Sequence, residues 1–263
     1  MSGFFWIASY PRSGNTWLRF LLTSLLRGPV QHSDEVAAFV QDVHLHRTVT
    51  PPAAGLKLLK THWRYHAQFP LTAETLGAVY LVRHPAAVLE SSLNFYFLQK
   101  GAPADDAARD ELARSWVSDF IGRGGSRAWI DGRVGTWAEN VDSWTSDDVP
   151  FPRVTIRYED LRADPASRLR LVCQALGVAR TEADIERAIA DVSIERMAAM
   201  EEAELATGRV GFFNNEALRG RACGFRQVRS DDRTRMKITG DEHRRVVAAS
   251  KALCDHWGYT AAS

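Results

Sequence analysis

The sequence has no excess of charge of either sign, because 33 Lys and Arg residues face 32 Asp and Glu residues, a net charge of +1. A chain that mainly coats nucleic acid or an acidic membrane would carry a large positive excess. No hydrophobic run approaches the ~18 residues of a membrane span, and the apolar residues at the start lack the basic region of a signal peptide. We therefore expect a cytoplasmic protein that binds neither nucleic acid nor membrane.

Cysteine, repeats and low-complexity linkers are scarce or missing as well. Three widely spaced cysteines form no CxxC pair: Cys173, Cys223 and Cys254. This pattern fits a reduced compartment and predicts no zinc site. With 45% hydrophobic and 25% charged residues, the composition is that of a globular protein. The length suits one large domain or two small ones, and we expect a single domain over residues 1–263.

Hydrophobic periodicity divides the chain into alternating strands and helices. Strands are predicted at 4–9, 55–61, 78–82 and 153–158, and helices at 15–27, 34–43, 85–97, 164–176 and from 182 onward. This alternation predicts an α/β protein with a P-loop-like three-layer fold, in which helices flank a central parallel sheet. Residues 101–135 and 207–233 lack periodicity. We expect both to be mobile lid segments, because irregular loops of that length are usually functional or disordered.

The segment 10–17, YPRSGNTW, lies between a buried strand and the start of a helix. Unsatisfied backbone N–H groups and the positive end of the helix dipole favour a phosphate there. Gly14 permits close backbone approach, Arg12 adds charge, and the serine and threonine hydroxyls add donors. The segment is not a Walker A loop, since Asn15 stands where that motif has lysine. A plain strand-to-helix turn is the alternative, but this combination favours phosphate binding.

Two further strands end in residues that suit an anionic ligand, and open α/β sheets bind ligands at the carboxyl ends of their strands. Lys60 and His62 end the second strand, where a His beside a Lys can act as a general base with a lowered pKa. A surface histidine is the alternative interpretation. Arg83 ends the next strand, where a Walker-type site would have a metal-holding Asp, and Ser91 follows eight residues later. These residues predict direct phosphate binding without a metal.

Four motifs together resemble the cytosolic-type sulfotransferases that use 3′-phosphoadenosine 5′-phosphosulfate (PAPS). They are YPRSGNTW, KTH at 60–62, LVRHP at 81–85 with Ser91, and RYEDL at 157–161. The motifs occur in the family's order, and the resemblance extends from residue 6 to about residue 221. Residues 4–17, GTWAENVDSW at 135–144 and SIERM at 193–197 are further similar to bacterial sulfotransferases that tailor natural products, including glycopeptide antibiotics.

This resemblance implies a role for each matching residue. The segment 12–17 would bind the 5′-phosphosulfate, with arginine at position 12 where most members have lysine. Arg83 and Ser91 would hold the 3′-phosphate. The family's C-terminal cofactor loop is altered here, and which of its two arginines would also grip that phosphate stays open. The implied catalytic residues are Arg12, Lys60 and His62. The implied cofactor-binding residues are Arg12, Ser13, Gly14, Asn15, Thr16, Trp17, Arg83, Ser91, Tyr158, Ser193, Arg219, Gly220 and Arg221.

The implied reaction moves a sulfuryl group from PAPS to a hydroxyl of a small-molecule acceptor, without a metal. His62 would take the proton, and Lys60 and Arg12 would stabilise the leaving phosphate. The expected acceptor is a bacterial secondary metabolite such as an antibiotic scaffold, with a carbohydrate or a lipid as alternatives. A P-loop small-molecule kinase and a non-catalytic nucleotide-binding module are the rival functions. The family's dimerisation motif, KxxxTVxxxE, is not visible, so the oligomeric state stays open, a homodimer included.

Overall fold

The structure, a computed structural model, describes residues 2–45, 49, 52, 54–101, 103, 105–126, 129–214 and 237–260, without the side chains of 131 and 132. Over these residues five strands form one sheet: β1 (Gly3–Ser9), β2 (Val40–Asp42), β3 (Leu56–Thr61), β4 (Thr75–Val82) and β5 (Arg153–Arg157). Their order is β2-β3-β1-β4-β5, and every pair is parallel. The predicted parallel α/β fold is confirmed.

The central strand β1 explains why the sheet is covered on both faces. All seven of its residues, GFFWIAS, are buried, and a continuous apolar run of this kind is typical of a parallel strand between two layers of helices. Phe5 and Ile7 pack into one hydrophobic core, while Phe4, Trp6 and Ala8 pack into the other. Alternate side chains of one strand therefore supply both cores.

The helices form two layers, and each helix is labelled by its order in the chain. They are α1 (Asn15–Arg27), α2 (Ser33–Phe39), α3 (Pro85–Lys100), α4 (Asp106–Arg123), α5 (Trp137–Thr145), α6 (Tyr158–Ala163), α7 (Pro165–Leu176), α8 (Glu182–Asp191), α9 (Ile194–Thr207), α10 (Gly240–Ala249) and α11 (Lys251–His256). Residues of α1, α2, α7, α8 and α9 share the core of Phe5, whereas residues of α3, α4, α5, α10 and α11 share the core of Phe4. A search of the described helices finds none that is long and apolar enough to cross a membrane.

The structure corrects three sequence-based boundaries. The predicted C-terminal end of the helix 34–43 is wrong, since α2 ends at Phe39 and Val40 begins β2, which pairs with β3. The predicted irregular stretch 101–135 contains α4, whose first turn is capped by the Asp105 carboxylate accepting from the Ala108 N–H at 2.9 Å. Tyr158 begins α6 rather than ending a strand. Of the segment 207–233, only 207–214 lies within the described residues, and the lid behaviour of both segments stays a prediction.

Candidate active site

The loop between β1 and α1 has the backbone that an anion site requires. Arg12 and Gly14 both have left-handed φ values, +66° and +92°. Glycine is needed at position 14, because a Cβ there would overlap the ring of Tyr158. The first intrahelical bond runs from the Leu18 N–H to the Gly14 carbonyl at 3.2 Å. The N–H groups that precede it have no carbonyl partner within the helix, so they are available to a phosphate.

The side chains of this loop divide between structure and ligand. Asn15 donates from Nδ2 to the Ile7 carbonyl (3.1 Å) and to the Ser9 hydroxyl (3.2 Å), so its side chain secures the end of β1. Its contribution to an anion is therefore its backbone N–H. The Ser13 hydroxyl is buried and has no hydrogen-bond partner. Since a buried polar atom is costly to leave unpaired, this hydroxyl marks a place where a ligand oxygen would be stabilised.

Four of the predicted cofactor residues lie close together beside this loop. Arg12 donates from Nε to the Ser91 hydroxyl at 3.2 Å, and its guanidinium lies 4.4 Å from the ring centre of Phe95. Arg83 donates to the Arg12 carbonyl at 2.8 Å and lies 4.4 Å above the ring of Tyr158. Elements from three carboxyl-end loops therefore place two guanidinium groups, a hydroxyl and an aromatic ring in one cluster.

A cavity of about 200 Å³ lies directly beside this cluster. Its lining residues are Arg83, His84, Ala87, Tyr158, Glu159, Arg162 and Tyr259. The Glu159 carboxylate accepts from the His84 N–H at 3.0 Å and from the Tyr259 hydroxyl at 3.1 Å, which fixes the cavity wall. The combination of guanidinium groups and an aromatic face suits a phosphorylated, planar ligand.

Trp17 and Ser193 are brought together at the far side of Tyr158. Trp17 donates from Nε1 to the Val192 carbonyl at 3.3 Å, and its ring meets that of Tyr158 edge-on at 6.4 Å. The Ser193 hydroxyl accepts from the Arg196 N–H at 3.3 Å and caps α9. Arg219, Gly220 and Arg221 lie outside the described residues, so their cofactor contacts stay a prediction.

His62 is held in the tautomer that a general base needs. Its Nδ1 lies 2.8 Å from the Ser9 carbonyl, and a carbonyl can only accept. The proton of the neutral ring is therefore on Nδ1, and Nε2 keeps its lone pair. Burial, with help from the positive charge of Lys60 and from His44, holds the pKa of His62 well below its ordinary value. The ring is neutral at neutral pH and can accept a proton.

Lys60 lies in a network of charges at the end of β3. The side chain is 9% exposed, and its Nζ forms an ion pair with Asp42 at 3.0 Å. Burial lowers the pKa of Lys60 to about 8, against the opposing effect of the Asp42 carboxylate. The buried Arg19 guanidinium adds a second positive charge nearby and also lowers this pKa. Lys60 thus keeps its charge at neutral pH, but its pKa lies only slightly above that pH.

Two residues that were not predicted connect this network to His62. The Asp42 carboxylate accepts from the His44 N–H at 3.0 Å. The His44 Nε2 in turn accepts from the His62 N–H at 2.8 Å, and burial together with Lys60 lowers the pKa of His44 to about 4. Asp42 therefore touches the lysine directly and supports the histidine through His44. No sequence signal identifies Asp42, because its position depends on the pairing of β2 with β3.

Asn140 is a further unpredicted residue that positions the site. It donates from Nδ2 to the His62 carbonyl (2.9 Å) and to the Val134 carbonyl (2.8 Å), and it accepts from the Tyr80 hydroxyl at 2.8 Å. All of its amide is thus used within a buried environment. Asn140 belongs to the segment GTWAENVDSW, whose resemblance to other chains was the only available signal. Within the part of the chain that the structure describes, no group of three or more His, Cys, Asp or Glu side chains is arranged to hold a metal.

The parallel sheet, the glycine-containing loop after β1 and the histidine that follows β3 together suit an α/β protein that binds a phosphorylated ligand beside a proton acceptor. Comparison with known sequences gives the family. The model of the sulfotransferase domain family matches residues 4–217, and the chain belongs to that family.

Curated relatives include sulfotransferase 1A1 of Bos taurus, 22% identical over 202 residues, and sulfotransferase 1A1 of Rattus norvegicus, 24% identical over 205 residues. Each match covers 73% of this chain, and the chain spans only 64–65% of the length of these relatives. Two solved structures share the fold. A mouse sulfotransferase complexed with PAP has a TM-score of 0.59 at 17% identity, covering 98% of this chain and 89% of that one. A retinol dehydratase complexed with androsterone and PAP has a TM-score of 0.63 at 15% identity, covering 95% and 80%.

Proposed function

We propose that this protein transfers a sulfuryl group from PAPS to a hydroxyl group of a small-molecule acceptor. The observation that carries the proposal is the contact of His62 Nδ1 with the Ser9 carbonyl at 2.8 Å, which leaves the Nε2 lone pair for a proton near Lys60 and the β1–α1 loop. A binding module would not need a base in this place. A kinase of the Walker type would need a lysine at position 15 and a metal-holding carboxylate at position 83. The chain has Asn15 and Arg83 there.

The reaction is an in-line displacement at sulfur. The acceptor oxygen forms a bond to sulfur while the bond from sulfur to the bridging phosphate oxygen breaks. Nε2 of His62 takes the acceptor proton, which contributes typically 10²–10⁴-fold to the rate. Negative charge grows on the leaving 5′-phosphate, where Lys60, Arg12 and the N–H groups of the β1–α1 loop stabilise it. No step in this scheme uses a metal ion, and that independence remains part of the proposal.

The residues around Arg83 fit the other end of the donor. Arg83 and Ser91 would hold the 3′-phosphate, with Tyr158 near the adenine and Ser193 contributing nearby. This assignment is supported by their clustering at the carboxyl ends of the strands and by the cavity that they line in part. It is also supported by the bound PAP, adenosine 3′,5′-bisphosphate, in the similar structures. In the present structure the Ser91 hydroxyl accepts from Arg12 Nε at 3.2 Å.

We propose a bacterial secondary metabolite, such as an antibiotic scaffold, as the acceptor, with a carbohydrate or lipid as the alternative. The support for this class of acceptor is the resemblance of three sequence segments to natural-product sulfotransferases. The retinol dehydratase structures, in complex with androsterone or retinol and with PAP, support only the coarser proposal of a small-molecule acceptor. A single domain and a cytoplasmic location belong to the same proposal.

A thermal-shift comparison of PAP, AMP and ATP tests this function without knowledge of the acceptor. Charge-assisted hydrogen bonds are worth roughly 1.5–3 kcal/mol each, so two bonds to the 3′-phosphate make PAP at least about a hundredfold tighter than AMP. At a concentration about a hundredfold above its Kd, PAP then stabilises the fold by about 2.7 kcal/mol. For a chain of this length that raises Tm by roughly 5–10 °C. AMP and ATP should do little, and Arg83→Ala should remove most of the difference.

The same assay separates binding from catalysis. His62→Ala should retain the PAP shift, with an affinity within about tenfold of the unchanged protein, while losing ~10²-fold or more in turnover. Equal shifts with ATP and PAP, or strict dependence of turnover on Mg²⁺, would favour the kinase instead.

A further inference from the structure

The chain beside His62 is paired with a second segment that the proposed reaction does not use. Residues 130–134 form a single turn of π-helix. The Arg64 N–H donates to the Arg133 carbonyl at 3.0 Å. Asn140 bridges the carbonyls of Val134 and His62. Residues 133 and 134 are therefore fixed directly alongside the base.

Arg133 has a backbone conformation that a residue with a Cβ adopts at a cost. Its φ is +64°, in the left-handed region, and Gly135 follows at φ +76°. Strained residues and π-turns occur preferentially at functional sites. Here the conformation carries the Arg133 guanidinium to 5.5 Å from the ring centre of Trp63. The rings of Trp63 and His44 in turn pack edge to face, with their centres 5.2 Å apart.

The charge of Arg133 has no carboxylate partner among the described side chains. Arg64, two residues from His62, is paired with Glu139 at 3.4 Å. Among the side chains that the structure describes, no carboxylate lies within ion-pair distance of Arg133, and its contact is the face of Trp63. The imidazoles of His44 and His62 both have lowered pKa values and are neutral at pH 7. Arg133 is thus an exposed positive charge held at the rim of the site on the side of the base.

We infer that Arg133 selects acceptors that carry an anionic group, such as a carboxylate, in addition to the hydroxyl that is sulfated. This inference rests on the proposed function, because it places the acceptor next to His62. An anion that pairs with Arg133 would hold the acceptor beside the ring of Trp63 and next to Nε2 of His62. An acceptor with a positive charge would be disfavoured in the same place.

Three phenols with an anionic, a neutral and a cationic para substituent provide the probes: 4-hydroxyphenylacetate, 4-methylphenol and tyramine. Their affinities for the protein in complex with PAP are measured by ligand-observed NMR at low ionic strength. Because Arg133 is exposed, the expected preference is modest: about fivefold for the carboxylate over the neutral phenol, with tyramine weakest. The preference should shrink in 0.5 M salt, since screening weakens exposed ion pairs.

Substitutions of Arg133 separate the effect of its charge from the effect of its strained backbone. Arg133→Gln should abolish the preference, and Arg133→Lys should keep most of it. Arg133→Gly suits the left-handed backbone and so should lose the preference without loss of thermal stability. Arg170→Gln, which removes an equal charge from the exposed pair with Glu182 on α7 and α8, should change nothing.

The outcomes distinguish this inference from the proposed function. If PAP binds but the carboxylate does not bind more tightly than 4-methylphenol, or if Arg133→Gln keeps the order, the selection by Arg133 is wrong. The same holds if Arg133→Gln weakens PAP itself more than threefold, because Arg133 would then belong to the cofactor site. Failure of PAP to raise Tm would instead overturn the proposed function.

Discussion

Replacing Asp42 by Asn should move the upper pH limit of activity toward acid. Asp42 is the only carboxylate that forms an ion pair with Lys60 among the residues described here. Its negative charge raises the pKa of Lys60, while burial and Arg19 lower it, with a net result of about 8. Activity that needs the charged lysine is lost as pH rises through that value. Without the carboxylate, the lowering effects act unopposed and the loss begins at lower pH.

The expected size of the pKa shift of Lys60 follows from its distance to Asp42. An opposite charge within 4–6 Å typically shifts a pKa by 1–3 units, and the Asp42–Lys60 distance is 3.0 Å. A shift of about two units takes the charged fraction at pH 7.5 from roughly three quarters to about 3%, a loss of roughly 25-fold. The variant should regain activity near pH 6, because the pKa of His62 lies well below its ordinary value and the base stays unprotonated there.

The assay is the pH dependence of kcat/KM for PAPS, which reports groups of the free enzyme. The amide introduced by Asp42→Asn still offers an oxygen to the His44 N–H, so the contact toward His62 is preserved. Asp42→Glu keeps the charge and serves as the matched control, with its upper limit expected near pH 8. The electrostatic reasoning would be refuted if Asp42→Asn lowered kcat/KM by the same factor at every pH and left the upper pH limit at its wild-type value.

Two further changes test the binding loop and the packing of α2. Gly14→Ala should weaken PAP more than about tenfold by calorimetry, because the new Cβ overlaps Tyr158; Gly28→Ala, at a similar positive φ but with open space around it, should leave PAP affinity unchanged, and equal effects would contradict the argument. Glu204→Ala should cost about 2–4 kcal/mol in urea unfolding, because the buried carboxylate accepts from the Ser33 N–H (2.8 Å) and hydroxyl (2.7 Å). Exposed Glu202→Ala on the same helix should cost under about 0.5 kcal/mol, and a similar loss in both variants would argue against the buried pair.

The helices and strands whose own residues show an apolar period or a continuous apolar run could be predicted from the sequence. The predicted bounds of α1, 15–27, are those observed, since an apolar period ends at Gly28-Pro29. The strands 4–9 and 78–82 were found because their residues are buried on both faces. Lys60, His62 and Arg83 were predicted as site residues because the carboxyl ends of parallel strands share one edge of the sheet.

The parts of the fold and of the site that the sequence does not predict depend on contacts between distant segments. Val40 to Asp42 form a strand only because β3 lies beside them, and local periodicity extended the helix through them. The helix α4 was missed because flanking glycines and an Ala/Asp-rich composition dominated, although Asp105 provides a cap. Asn140 and His44 act through hydrogen bonds to the His62 backbone, and no spacing in the sequence encodes those bonds.

The short edge strand β2 has a consequence for how the protein loses activity. It consists of three residues and pairs with β3 alone, whereas β1 is paired on both sides. Local opening needs least free energy at such an edge, where few backbone bonds must break. Asp42 is the last residue of β2, so detachment of this strand withdraws the partner of Lys60 and the support of His44 while the centre of the sheet stays intact. We therefore expect heat to inactivate the protein by fraying of this edge, at a temperature below that at which β1 and β4 separate.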